Sequence, residues 1–103
     1  MISLIHQNIE AIRELCRRYG VARLEVFGSA VDGTFDPERS DVDFLVEFPP
    51  GYDFGPWLAH YFEFQDELKR LLNRDVDLVE LKSIRNPFRR HSILKSREVV
   101  YAA

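Results

Sequence analysis

This chain lacks most of what would mark it for the secretory route, the membrane or a long nucleic acid. It has one cysteine among 103 residues, Cys16. That permits no internal disulfide and no cysteine metal cluster, and Cys16 reads as a small apolar residue of the first helix. No apolar run approaches the roughly 20 residues of a membrane-spanning helix. Polar residues begin as early as His6 and Glu10, so no secretory leader and no membrane association are expected, and the cytoplasm is the expected location. Positive charge is not in excess. Lys and Arg number 14 against 17 Asp and Glu, for a net charge of −3 and a sequence pI of about 5.6. A protein that coats or tracks a long nucleic-acid template would be basic, and that class is set aside. There is no internal repeat and no low-complexity segment. What is present is ordinary globular material, 46% hydrophobic and 30% charged, expected to form a single domain over residues 1–103.

The most informative stretch begins with Arg23-Leu24-Glu25-Val26-Phe27, a strand within about Val21 to Phe27. It breaks at Gly28-Ser29, and a loop rich in Gly, Asp and Pro follows. A second strand, about Asp41 to Phe48, then opens with two carboxylates one residue apart. Residues i and i+2 of a strand share a face, so Asp41 and Asp43 project together while Val42 and Phe44 face the other way. Like charges held together raise a pKa or call for a cation. Hard divalent cations such as Mg²⁺ take carboxylates together with substrate phosphates. Gly28 and Ser29, at a strand end, offer N–H groups and a hydroxyl to a phosphate. A third carboxylate comes from Asp75-Val76-Asp77-Leu78-Val79-Glu80-Leu81, read as a strand. Asp77, expected to sit deeper between valines, is the chosen candidate, and Asp75 is read as a rim residue.

The remainder frames that stretch. A helix from Ser3 to about Tyr19 is expected, with Ser3 as cap, Gly20 as C-cap, and Ile5, Ile9, Ile12, Cys16 and Tyr19 on one apolar face. His6 is read as a surface residue. Asp36 to Ser40 reads as a turn, and Arg39 as a surface ion-pair partner. After the loop 49–56, a helix from Trp57 to about Asn73 carries a wide apolar face read first as core packing against the sheet, the alternative being that an overflow of Trp57 and Phe64 forms a partner surface. The segment Lys82 to Arg97 is basic, with a helix from Pro87 to about Lys95, and could steer a nucleoside triphosphate. Val99 to Tyr101 reads as a last strand or docked tail.

Gly-Ser, a spacer from Ala30 to Ser40, Asp-x-Asp at Asp41 and Asp43, and a later strand Asp at Asp77 resemble the minimal nucleotidyltransferase (MNT) family. That family is the small branch of the polymerase-β-like nucleotidyltransferase superfamily, and the likeness spans nearly the whole chain. It implies an α/β (α+β) fold, a small mixed β-sheet flanked by helices. It also implies an enzyme that transfers AMP from ATP to a hydroxyl acceptor with two Mg²⁺ ions. In this reading Asp41, Asp43 and Asp77 are catalytic and hold metal, while Gly28 and Ser29 bind the nucleotide. MNT proteins are commonly antitoxins paired with a helical HEPN-domain toxin, and the implied acceptor is a tyrosine of such a toxin. Self-association is left open. Asp32 stands where many relatives carry a basic residue. Two alternatives therefore remain at this point: an antitoxin that acts by binding alone through a degenerate site, and a nucleotidyltransferase subunit for a small-molecule acceptor.

Overall fold

The apolar periodicities resolve into a mixed sheet with helices on both faces. The computed structural model describes residues 1–51 and 54–103, and the side chains of residues 54–57 lie outside that description. Among the described residues the order is α1 (Ser3–Gln7), α2 (Ile9–Arg18), β1 (Arg23–Phe27), α3 (Ser29–Asp32), β2 (Val42–Glu47), α4 (Phe54–Leu72), β3 (Val76–Val79), a 3₁₀ turn (Leu81–Ser83), α5 (Pro87–Lys95) and β4 (Arg97–Ala102). The strands lie in the order β3-β2-β1-β4. β1 is antiparallel to β2 and β4, and β2 is parallel to β3. A parallel pair needs a crossover, and α4 supplies it.

The expected first helix is two helices. Asn8 leaves helical geometry at φ −111°, ψ 10°, and its side-chain amide donates to the Leu4 carbonyl at 2.8 Å. An amide side chain that binds local backbone competes with the helix in this way. Ile2, not Ser3, is the N-cap, and no side chain caps it. At the other end the expectation holds. Gly20 sits at φ +67°, and the Val21 and Gly20 amides donate to the Cys16 and Arg17 carbonyls at 2.9 and 3.3 Å. That is the glycine-ended Schellman pattern.

The main core lies between one sheet face and helices α1, α2 and α4. It joins Ile5, Ile12 and Cys16 to Leu24, Val26, Val42, Phe44 and Val100, and to Phe64, Leu68 and Leu72. Burial pushes the Cys16 thiol up to about 12, as befits an inert core residue. Phe64 is fully buried, so it is not a partner-facing residue. The i, i+4, i+8 row Phe64-Leu68-Leu72 meets the sheet, which turns Leu58 and Phe62 outward instead. Trp57, the other overflow candidate, lies outside the described side chains. α4 begins at Phe54 rather than Trp57. Pro56 falls in its first turn, where a missing N–H costs no helical bond.

The opposite sheet face carries a smaller cluster of Phe27, Leu45, Ile84 and Ile93. Through it α5 and the 3₁₀ turn lie across the sheet. Beside this cluster the face has two flanks: a near one where β1 and β2 meet at Gly28 and Asp43, and a far one lined by Glu25, Glu47 and Arg90 of α5. No described helix is long and apolar enough to cross a membrane.

Candidate active site

Gly28 leaves β1 at φ +70°, ψ −139°, a backbone region that is essentially glycine's own. A Cβ built there would lie 2.8 Å from Asp43 Oδ2. A side chain at position 28 would have to displace that carboxylate, and the positive φ would strain it in any case. α3 starts at the next residue, Ser29. Ser29 and Ala30 open that helix, so their amides have no acceptor within it. The Val31 and Asp32 amides close on the Gly28 carbonyl, each at 3.0 Å.

β2 presents Asp43 directly opposite Phe27 of β1 on one side and Asp77 of β3 on the other. Asp41 precedes β2, which begins at Val42. The Val42 amide donates to the Asp75 carbonyl at 3.1 Å, closing the entrance to the parallel pair. Asp77 is exposed, as is Asp75. The expected greater depth of Asp77 is therefore not seen, and what distinguishes it is register. Asp77 stands beside Asp43, whereas Asp75 lies ahead of the strand with its carbonyl committed to β2.

Burial holds the Asp43 carboxyl above its usual range, and the charges of Asp77 and then Asp41 push it the same way, with Arg89 opposing. Among the described residues, no ion pair and no hydrogen bond reaches the side chains of these three aspartates. As the side chains stand, no three carboxylate, imidazole or thiol groups among the described residues enclose an ion. The donor set nevertheless suits a hard cation. It offers oxygen ligands in adjacent register, repelling one another and held by no ion pair among the described residues.

The spacer is held by a residue the sequence did not flag. Arg74 donates to the Ser40 carbonyl at 3.1 Å and the Pro37 carbonyl at 2.9 Å. Its guanidinium lies 4.9 Å from the centre of the Phe35 ring. Asp36 to Ser40 forms the expected turn, with the Ser40 amide on the Asp36 carbonyl at 2.8 Å. Together these contacts set where Asp41 enters β2. Asp32 is exposed, and its carboxylate accepts from the Thr34 amide at 2.9 Å and hydroxyl at 2.6 Å. Those bonds hold its pKa below the usual carboxylate range. Arg39 is exposed and forms no ion pair among the described residues, contrary to the surface pair expected of it.

On the other flank of α5 lies a cleft of about 610 Å³ lined by Arg23, Glu25, Glu47, Arg90 and Arg97 among others. Glu25 is 4% exposed, and its Oε1 accepts from Arg23 at 2.8 Å and Arg97 at 3.1 Å. Glu80 pairs with Lys82 at 3.4 Å. Nothing in the local sequence marks Glu25 as buried, because Arg97 arrives from the last strand.

Comparison with known proteins bears on both fold and chemistry. A family model for the nucleotidyltransferase domain matches residues 9–100. The chain is 38% identical over 106 residues to the protein adenylyltransferase MntA of Thermococcus cleftensis, covering 98% of this chain and 99% of that one. It superposes on a solved minimal nucleotidyltransferase with a TM-score of 0.73 at 32% identity, over 91% of this chain and 90% of the other. A crystal structure of a toxin–antitoxin with AMP-PNP matches with a TM-score of 0.70 at 25% identity, over 93% of this chain and 74% of the other. The mixed four-stranded sheet with flanking helices is the fold of these proteins.

Proposed function

This chain belongs to the nucleotidyltransferase domain family, and on that premise we propose that it transfers AMP from ATP to a tyrosine hydroxyl of a partner HEPN-domain toxin, acting as the antitoxin. One observation carries the site assignment. Asp43 and Asp77 stand in matched register with Asp41 beside them, without an ion-pair partner among the described residues, against a glycine that carries no side chain into the space. The protein acceptor is supported by the adenylyltransferase relative, and the toxin partner by the toxin–antitoxin structure.

In the proposed reaction the acceptor oxygen attacks the α-phosphorus of ATP. A new P–O bond forms, the α–β P–O bond breaks, and pyrophosphate leaves. Asp41, Asp43 and Asp77 would hold two Mg²⁺ ions, which when bound neutralise charge on the phosphates and favour an ionised acceptor. Asp77 would take the acceptor's proton, a role that its exposure beside Asp43 supports. Gly28 lets the polyphosphate approach the backbone, and the Ser29 hydroxyl and amide orient it. The Asp32 carboxylate is occupied by Thr34, which supports a structural role for it in the loop. We place the activity in the cytoplasm, where ATP and Mg²⁺ are both supplied.

The test is the intact mass of a HEPN-domain partner after incubation with this protein, ATP and Mg²⁺. A gain of one or more AMP units that is lost with Asp41→Asn is expected. An unchanged mass with nucleotide still bound would refute the protein acceptor and favour a small molecule. An unchanged mass without nucleotide binding would refute the enzyme reading.

A further inference from the structure

The three carboxylates of the near flank meet a substrate that is itself polyanionic. The spacer brings little positive charge to them. Residues 28–40 contain one cation, Arg39, and Asp32 within them is committed to Thr34. The helix that crosses the sheet offers more. Ile93 of α5 packs down into the cluster with Phe27 and Leu45. At about 100° per residue, positions four and three earlier lie roughly 40° and 60° to either side of it. Those positions are Arg89 and Arg90, so the two arginines straddle the contact line. Arg90 takes the far side, donating to the Leu81 and Ile84 carbonyls at 2.7 and 3.2 Å and lining the cleft that holds Glu25. Arg89 is left on the near side. It is exposed, and its side chain makes no ion pair or hydrogen bond among the described residues. Independently, its charge is felt at Asp43. Elsewhere in this segment Lys82 is engaged with Glu80 and Arg97 with Glu25.

We propose that Arg89 is a further nucleotide-binding residue, a guanidinium brought by α5 to the polyphosphate of the ATP taken at Asp41, Asp43 and Asp77. The inference rests on the nucleotidyltransferase reading above. A guanidinium presents a planar fork of donors that fits phosphate oxygens two at a time, which an ammonium cannot match. Placed on an exposed helix face, it can meet the ligand without strain in the fold.

The experiment is calorimetric titration of the whole chain with Mg²⁺ and ATP, ADP or AMP, comparing wild type with Arg89→Ala, Arg89→Lys and Arg85→Ala. Arg89→Ala is expected to weaken Mg²⁺–ATP binding by about 10- to 100-fold, the usual range for losing a charge-assisted bond. The loss should shrink from ATP to ADP and be smallest for AMP. Arg89→Lys should recover part of it. Arg85→Ala, exposed in the same segment, should bind as wild type does. The unfolding midpoint of Arg89→Ala should match wild type. Wild-type affinity for ATP in Arg89→Ala would overturn the proposal, and so would an equal loss for all three nucleotides. Wild-type protein that binds no Mg²⁺–ATP would instead overturn the nucleotidyltransferase reading on which the proposal stands.

Discussion

The two flanks of α5 share a sheet face and a comparable supply of charged side chains, yet they treat charge in opposite ways. On the far flank the buried acid is matched, and only exposed Glu47 stands without an ion pair among the described residues. Glu25, almost wholly buried, holds Arg23 and Arg97, and Glu80 holds Lys82. On the near flank Asp41, Asp43 and Asp77 gather without such matching, and Asp43 is driven above its usual pKa by burial and by its neighbours. Matched charge of the first kind is architecture. Unmatched charge of the second kind works against the fold, and the function proposed above accounts for it by a ligand that would supply a cation.

The largest test of this contrast lies on the near flank. Asp43→Asn should lower AMP transfer by about 10³-fold or more, equivalent to the several kcal/mol that metal-held charge contributes to such transition states. The same variant should be at least as stable as wild type without metal, because repulsion is relieved. Asp77→Asn should be severe and Asp75→Asn mild in a transfer assay. The reverse ranking would show that register with Asp43 is not what selects the third carboxylate.

Gly28→Ala joins the two kinds of effect. It forces a left-handed backbone region on an L residue and drives a methyl group into Asp43. It should cost about 1–3 kcal/mol of stability in chemical denaturation and most of the transfer activity. Unimpaired transfer would mean that the close approach of Gly28 to Asp43 is incidental.

On the far flank, Glu25→Gln should cost about 1–2 kcal/mol, held to that range because both arginines reach solvent. Mg²⁺–ATP affinity should stay at the wild-type value. A lost affinity with intact stability would break the division between the flanks.

The smallest effect is a pH dependence. The folded-state pKa of Asp43 lies above its unfolded value, so its contribution to stability is fully present in acid. That contribution is lost as pH rises from the ordinary carboxylate range through the raised pKa. Without Mg²⁺, the stability advantage of Asp43→Asn over wild type should therefore grow with pH across that window. An advantage that shrinks with rising pH would contradict the sign of the shift.

Local features of the chain were legible in advance for local reasons. Their spacing one residue apart keeps Asp41 and Asp43 close, although β2 begins only at Val42. Asn86 before Pro87 announces α5, and Asn86 does accept from the Phe88 and Arg89 amides at 2.9 and 3.3 Å. Gly20 ends α2 as its conformational freedom suggests. What escaped the sequence depends on partners far along the chain or on a choice among near-equal options. Asn8 could have stayed helical but binds Leu4. α4 is apolar nearly all round in its first half, so periodicity alone could not say that Phe64 faces the sheet and Phe62 the solvent. Glu25 meets Arg97, and Arg74 meets Pro37 and Ser40, only once the sheet has assembled. The candidate carboxylates could therefore be named from sequence, while the contacts that position them, such as those of Arg74, could not.

The most direct test of the contrast between flanks is thermal unfolding of wild type and Asp43→Asn, each with and without Mg²⁺–ATP. The account predicts that Asp43→Asn melts no lower than wild type in the absence of ligand. Mg²⁺–ATP should then raise the midpoint of wild type and leave that of Asp43→Asn unmoved. A variant that melts lower without ligand, or gains as much as wild type with it, would contradict the claim that the near-flank acids are held apart for a cation and its nucleotide.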